Sequence, residues 1–200
     1  IALALRRRAA EVQRGGVLRA GDLGCDAALR AGAAPIHCPD IGQLGGLHSE
    51  VQRLAEGGID IYGDGEMFEI LTKPLLSIKN VHLNKGFLTH AQIKEIHDSH
   101  GIALMPTRFD TQGVSLCEAA SSGCAIVTSN ISANINHFGN KLGILCEVEN
   151  YVEYADVIEK MYYDIDYFKK ISIEVSKAVQ EKYSYKQTIE KEIKTFSSES

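Results

Sequence analysis

Residues 105–118 read Met-Pro-Thr-Arg-Phe-Asp-Thr-Gln-Gly-Val-Ser-Leu-Cys-Glu, and the fold is decided there. Ile102 to Met105 form a short apolar run suited to a buried strand, and Pro106 and Thr107 end it. A polar loop follows from Arg108 to Gly113, and an apolar-periodic run then reaches Gly123. Strand, loop and helix start therefore follow one another within a few residues. A helix N-terminus presents unpaired backbone N–H groups and the positive end of a dipole, so such a corner suits an anion such as a diphosphate. Asp110 lies in the loop and Glu118 on the new helix, facing the same end if the helix starts near Gly113. A carboxylate pair so spaced can hold hydroxyl groups around the bound anion.

The pattern Asp110-x7-Glu118, followed by Ala119-Ala120-Ser121-Ser122-Gly123 and the apolar stretch Cys124 to Thr128, resembles the E-x7-E signature of retaining GT-B glycosyltransferases of family 4, the group 1 glycosyltransferases. Pro106, Thr107, Gly113, Glu118, Ala119 and Gly123 match the usual pattern of that family. Asp110 departs from it, since the family usually has Glu there, and so do Thr111 and Gln112. The carboxylate is kept, one methylene shorter, and the Asp-Thr-Gln-Gly-Val-Ser form resembles a bacterial branch. The resemblance covers residues 59–196 and leaves out the first 58.

A chain of 200 residues suits one domain or one and a half. A GT-B enzyme has two Rossmann-like domains and nearly twice that length, so the resemblance implies the C-terminal, donor-binding half. A net charge of −5 and a pI near 5.8 argue against a nucleic-acid footprint. No apolar run reaches the length of a membrane span, and the start does not look like a signal peptide, which favours a cytoplasmic location. By resemblance, the full-length protein is open to peripheral association with the inner face of the membrane. Cys25, Cys38, Cys117, Cys124 and Cys146 are odd in number and lack a C-x-x-C pair, so they read as buried thiols rather than as a zinc site or disulfide framework.

Residues 1–58 are foreign in composition. They hold seven of the eight arginines and no lysine, whereas every lysine follows residue 72. Three origins are open: a fusion or vector-derived segment, a shifted reading frame, or a divergent first βα unit; the sharp change favours the first two. Arg6, Arg7, Arg8 and Arg14 are basic, but a run of arginines is more often a solvated face than a ligand grip. Leu3 to Val12 is expected to be helical, Gly15-Gly16, Gly21 to Gly24 and Gly42 to Gly46 break structure, and His48 to Glu56 suits a short amphipathic helix.

Further on, strands are expected near 59–62, 81–83, 102–105, 125–128 and 144–146. Helices are expected over 66–76 (interrupted near Pro74), 91–97 (capped by Thr89), 151–163, 168–182 and from Tyr185 to about Phe196, with a frayed tail at 197–200. The alternation predicts an α/β fold, a Rossmann-like, mostly parallel sheet flanked by helices. Val152, Ala155, Val157, Ile158 and Met161 fall at helical spacing and are expected to face the core. Gly63-Asp64-Gly65-Glu66 forms a glycine turn after the first of these strands. It is not a P-loop, and an ordinary strand-to-helix turn is an equal alternative. His90, His97 and His100 lack metal-ligand company and read as surface or capping groups, and the nearby tyrosines read as packing.

The resemblance also implies roles. Gly63 and Gly65 match a Gly-x-Gly turn near the nucleotide, and Gly86-Phe87 a segment that meets the base. Asp110 is expected to bond the transferred sugar and Glu118 the ribose hydroxyls. The backbone of Gln112, Gly113, Val114 and Ser115 would face sugar and diphosphate. No metal or other cofactor is implied. The function implied is donor binding within a glycosyltransferase of hexosyltransferase type. It would move a sugar from a nucleotide-diphosphate sugar to an acceptor held by an absent N-terminal domain, in bacterial polysaccharide or lipopolysaccharide synthesis. This fragment alone is expected to be inactive. The alternatives are a non-catalytic Rossmann-like nucleotide- or partner-binding module and a nicotinamide-dependent oxidoreductase. The latter is disfavoured because no Gly-x-Gly-x-x-Gly follows the first strand.

Overall fold

A computed structural model describes residues 2–6, 58–108, 113–132, 134–135 and 143–198. Its sheet has six strands: β1 (Ala2–Arg6), β2 (Ile59–Gly63), β3 (Val81–Lys85), β4 (His100–Met105), β5 (Ala125–Ser129) and β6 (Ile144–Cys146), in the order β3-β2-β1-β4-β5-β6. The helices are α1 (Phe68–Thr72), α2 (His90–Ser99), α3 (Val114–Ser121), α4 (Tyr151–Tyr163), α5 (Ile165–Tyr183) and α6 (Tyr185–Ser198), with a 3-10 turn at Lys73–Ser77 after α1. Among these residues no helix is long and apolar enough to cross a membrane.

The expected α/β fold is present. β2 pairs parallel with β3, β4 with β5, and β5 with β6. The central strands are the apolar ones: every residue of β5 is buried, as is β4 up to Leu104. This continuous burial is the mark of a parallel sheet covered on both faces. Leu116, Ala119 and Ala120 of α3, Ile158 and Met161 of α4, and Val175 and Val179 of α5 pack onto it. Ser172 of α5 is buried and donates to the Gly123 carbonyl at 2.7 Å, tying α5 to the end of α3. Gly143 enters β6 at φ +79°, and a Cβ there would lie 2.3 Å from the Ile126 carbonyl oxygen, so only glycine lets the chain pass.

Three expectations change. The helix foreseen from Leu3 to Val12 is a strand over the residues described, Ala2–Arg6. It lies between β2 and β4 and runs antiparallel to both, with Leu3 opposite Ile61 on one side and Leu104 on the other. Two open strand edges present rows of unpaired N–H and C=O groups, and pairing both outweighs the helical preference of five residues, too few to nucleate a helix alone. Val152 is 54% exposed, so the apolar stripe of α4 is narrower than its spacing suggests, and Tyr154 is buried in it instead.

His100 caps the end of α2, one of the two readings expected for it, but it is no surface group. It is 4% exposed and its Nε2 lies 2.8 Å from the buried Asp60 carboxylate. Its Nδ1 lies 2.6 Å from the Ile96 carbonyl oxygen. The half-exposed His82 meets the other Asp60 oxygen at 3.2 Å. His97 is half-buried, and desolvation first, then the charge of His100, pulls its pKa from 6.5 to about 4 against the pull of Asp98. The cause is position: α2 ends directly on β4, so its last turn lies against the sheet. His90, at the other end of α2, is exposed as expected.

The remaining helices begin where their caps place them. Thr89 forms a capping box with Gln92, Asn150 accepts from the Glu153 N–H, and Asp164 from the Tyr167 N–H. The expectations for residues 7–57, including Arg7, Arg8, Arg14, the two cysteines Cys25 and Cys38 and the helix at 48–56, lie outside the described residues. Cys117, Cys124 and Cys146 are thiols rather than disulfides, the last two buried, and burial pushes the Cys146 thiol up to about 12.

Candidate functional site

Ligands of an open parallel sheet bind beyond the C-terminal ends of its strands. Gly63 ends β2, Lys85 ends β3, Met105 ends β4 and Ser129 ends β5. The two glycine turns foreseen as donor-binding meet there: the Gly86 N–H donates to the Gly63 carbonyl at 3.0 Å. Gly65 and Gly86 both have positive φ, and the space where a side chain would stand is empty within 4 Å. Asp64 holds the first turn through its carboxylate, which accepts from the Gly65 N–H at 2.7 Å. Phe87 follows, its large aromatic side chain 88% exposed.

Gly113 is the N-cap of α3 and adopts the left-handed conformation, φ 56°, ψ 36°. That angle lets the chain turn sharply from the loop into the helix, and a β-branched residue would strain it. The helix therefore starts where the sequence places it. Val114 and Ser115 open its first turn, both exposed, while Leu116 beside them is buried. Glu118 stands one turn along from Val114 on the same face and is half-buried. Loss of hydration raises its carboxyl pKa, and the charge of His90 works the other way. Glu118 thus lies within electrostatic reach of the residue that opens α2, directly after the Gly86-Phe87 turn.

The structure joins the Gly63 and Gly86 turns at the ends of β2 and β3, with Gly65 and Phe87 beside them, and places Gly113, Val114, Ser115 and Glu118 at the start of α3, which follows β4. Asp110 and Gln112 lie outside the described residues. Among the described residues no group of three or more His, Cys, Asp or Glu side chains could hold a metal ion.

Two cationic side chains at the strand ends escaped the sequence reading. Lys85 bonds Glu69 at 2.6 Å, with both groups well exposed. Arg108 pairs with Glu149, in the turn before α4. Both pairs join residues far apart in the chain, so no local spacing announces them.

Comparison with known proteins fits this geometry. The family model for glycosyl transferases group 1 matches residues 46–164, more than half of the chain. It takes in the end of the compositionally foreign segment, the glycine turns and Glu118. Among solved structures, TarM superposes with a TM-score of 0.64 at 23% identity, over 76% of this chain and 31% of that one. A variant of TarM from S. aureus, crystallised with fondaparinux, alpha-GlcNAc-glycerol and UDP, gives 0.67 at 22% identity, over 80% and 34%. The pneumococcal O-GlcNAc transferase GtfA, in complex with UDP and GlcNAc, gives 0.50 at 23% identity, over 76% and 33%. Identities this low speak for a shared fold. The chain spans about a third of the length of each of these structures. No curated protein matches the sequence. With the family match covering more than half of the chain, from β2 through β6 and the candidate site, the chain belongs to the group 1 glycosyl transferases.

Proposed function

We propose that this chain is the donor-binding domain of a retaining, family 4 glycosyltransferase, and that its ligand is a nucleotide-diphosphate sugar. The observation that most supports the reading is that four features lie at the C-terminal ends of strands of one sheet. These are two joined glycine turns, the exposed Phe87 ring, the first turn of α3 and the half-buried carboxylate of Glu118. An aromatic face suits a base, a carboxylate suits ribose hydroxyls, and helix N–H groups suit a diphosphate. That TarM and GtfA were crystallised with UDP is consistent with such a donor.

In this reading Glu118 accepts hydrogen bonds from the ribose, and Asp110 orients the transferred sugar. The backbone of Gln112, Gly113, Val114 and Ser115 faces the sugar and diphosphate. Fixed donors of this kind stabilise the charge that develops on a leaving diphosphate without having to reorganise. The acceptor is held by an N-terminal domain outside this chain, so the full-length protein is the enzyme and this domain alone is inactive. A hexosyl donor, a cytoplasmic setting at the inner face of the membrane and a role in bacterial surface polysaccharide belong to the same proposal.

The test is sugar transfer by the full-length protein, with the anomeric configuration of donor and product read by NMR. Transfer with the configuration kept is the expected result. Inversion overturns the retaining assignment, and binding of donor without transfer to any acceptor favours a non-catalytic module.

A further inference from the structure

A buried network of hydroxyl groups lies under the candidate site and has no part in the binding roles given above. Ser129 ends β5 and is 1% exposed. Its Oγ accepts from the Thr107 backbone N–H at 2.7 Å and from the Tyr154 hydroxyl at 2.8 Å. Tyr154 comes from α4, is 3% exposed, and has its hydroxyl pKa pushed far up by burial. Alongside, Thr128 donates to the Met105 carbonyl at 2.9 Å and accepts from Asn134 Nδ2 at 3.1 Å. The same Asn134 nitrogen donates to the Ser129 carbonyl at 2.8 Å. Both ends of Met105–Thr107, the stem by which the chain leaves β4, are thus held by side chains from β5. One of these is braced in turn by α4.

Buried hydroxyls are costly unless paired, and Val, Ala and Phe would fill the same space without them. Here every one of them is spent on the backbone of that stem or on its support. Only residues 108–112 separate the stem from Gly113, the cap of α3.

We propose that Ser129, Thr128 and Tyr154 are positioning residues that lock the Met105–Thr107 stem, and through it the sugar side of the donor site. This rests on the donor-domain reading above. Tyr154 touches the stem only through Ser129, so its hydroxyl acts at second hand. A purely packing role makes no demand on that hydroxyl, because phenylalanine keeps the ring.

The test compares Tyr154→Phe and Ser129→Ala with the wild-type chain. Amide hydrogen exchange is read at Thr107 and, as a control for global unfolding, at Ile126. Affinity is measured for UDP and for UDP-glucose. In both variants the Thr107 amide is expected to exchange about fivefold faster or more, the scale of one lost hydrogen bond, with Ile126 unchanged. Affinity for UDP-glucose is expected to fall about fivefold while that for UDP stays within about twofold. Unchanged Thr107 exchange in Tyr154→Phe overturns the lock, and so does an equal loss for both ligands. If the wild-type chain binds neither UDP nor UDP-glucose while Thr107 responds as expected, the UDP-type donor reading falls, and the link from lock to sugar falls with it.

Discussion

Single residues at this site are tuned chiefly by burial. Glu118 is half-buried on α3, and desolvation favours its neutral form over the charge of His90. A ribose hydroxyl is held best by the ionised carboxylate, so nucleotide binding is expected to strengthen as pH rises through the raised pKa of Glu118, with release of a proton. Replacing Glu118 by Ala is expected to weaken nucleotide binding by about 1–3 kcal/mol, the scale of a hydrogen bond to a charged group; calorimetry of the two proteins checks it, and equal affinities would remove Glu118 from the site. Asp60 and His100 make the complementary case. Both are almost fully buried and lie at the opposite, N-terminal end of their strands. His100→Ala would remove a close ion-pair partner of the buried Asp60 carboxylate, and is expected to cost about 3 kcal/mol or more in denaturant unfolding. The place of Glu118 on α3 was legible in the sequence because its spacing from Gly113 and Gly123 is local. The Asp60–His100 pair was not, because it joins residues forty apart: the helix end made His100 legible as a cap, but not its burial against another strand.

Secondary structure followed the local signals where these agreed. Thr89, Asn150 and Asp164 start helices as cap residues should, and Pro74 lies where α1 gives way to a 3-10 turn. Tyr151–Tyr163 was legible to the residue, yet its buried face was misjudged at Val152, since spacing defines a stripe but not its width. β1 went against expectation because its state is decided by partners more than fifty residues away. Among the described residues it is the strand that joins β2 to β4 by hydrogen bonds, so a break there is expected to divide the sheet. Ala4→Pro removes a backbone donor in the middle of that bridge and is expected to destabilise the fold by about 3 kcal/mol or more. A two-state thermal melt checks this; an unchanged midpoint would mean that β2 and β4 are held together without β1.

For the whole molecule, the sheet sets where chemistry can occur. The parallel strands share one C-terminal edge, and the glycine turns and α3 all meet it, so the site follows from topology as much as from any motif. The proposed reaction uses backbone N–H groups and the two carboxylates and calls for no divalent ion. Transfer by the full-length protein is therefore expected to persist in EDTA, and a loss of activity restored by one divalent cation would assign a metal to the reaction. The sharpest test of the donor-binding claim needs only this chain: ligand-observed NMR with UDP, GDP, ADP and NAD, repeated with Glu118→Ala. Saturation transfer to one nucleoside diphosphate in preference to NAD, lost or weakened in the variant, is the predicted result. Preference for NAD, or silence from all three diphosphates, would contradict it.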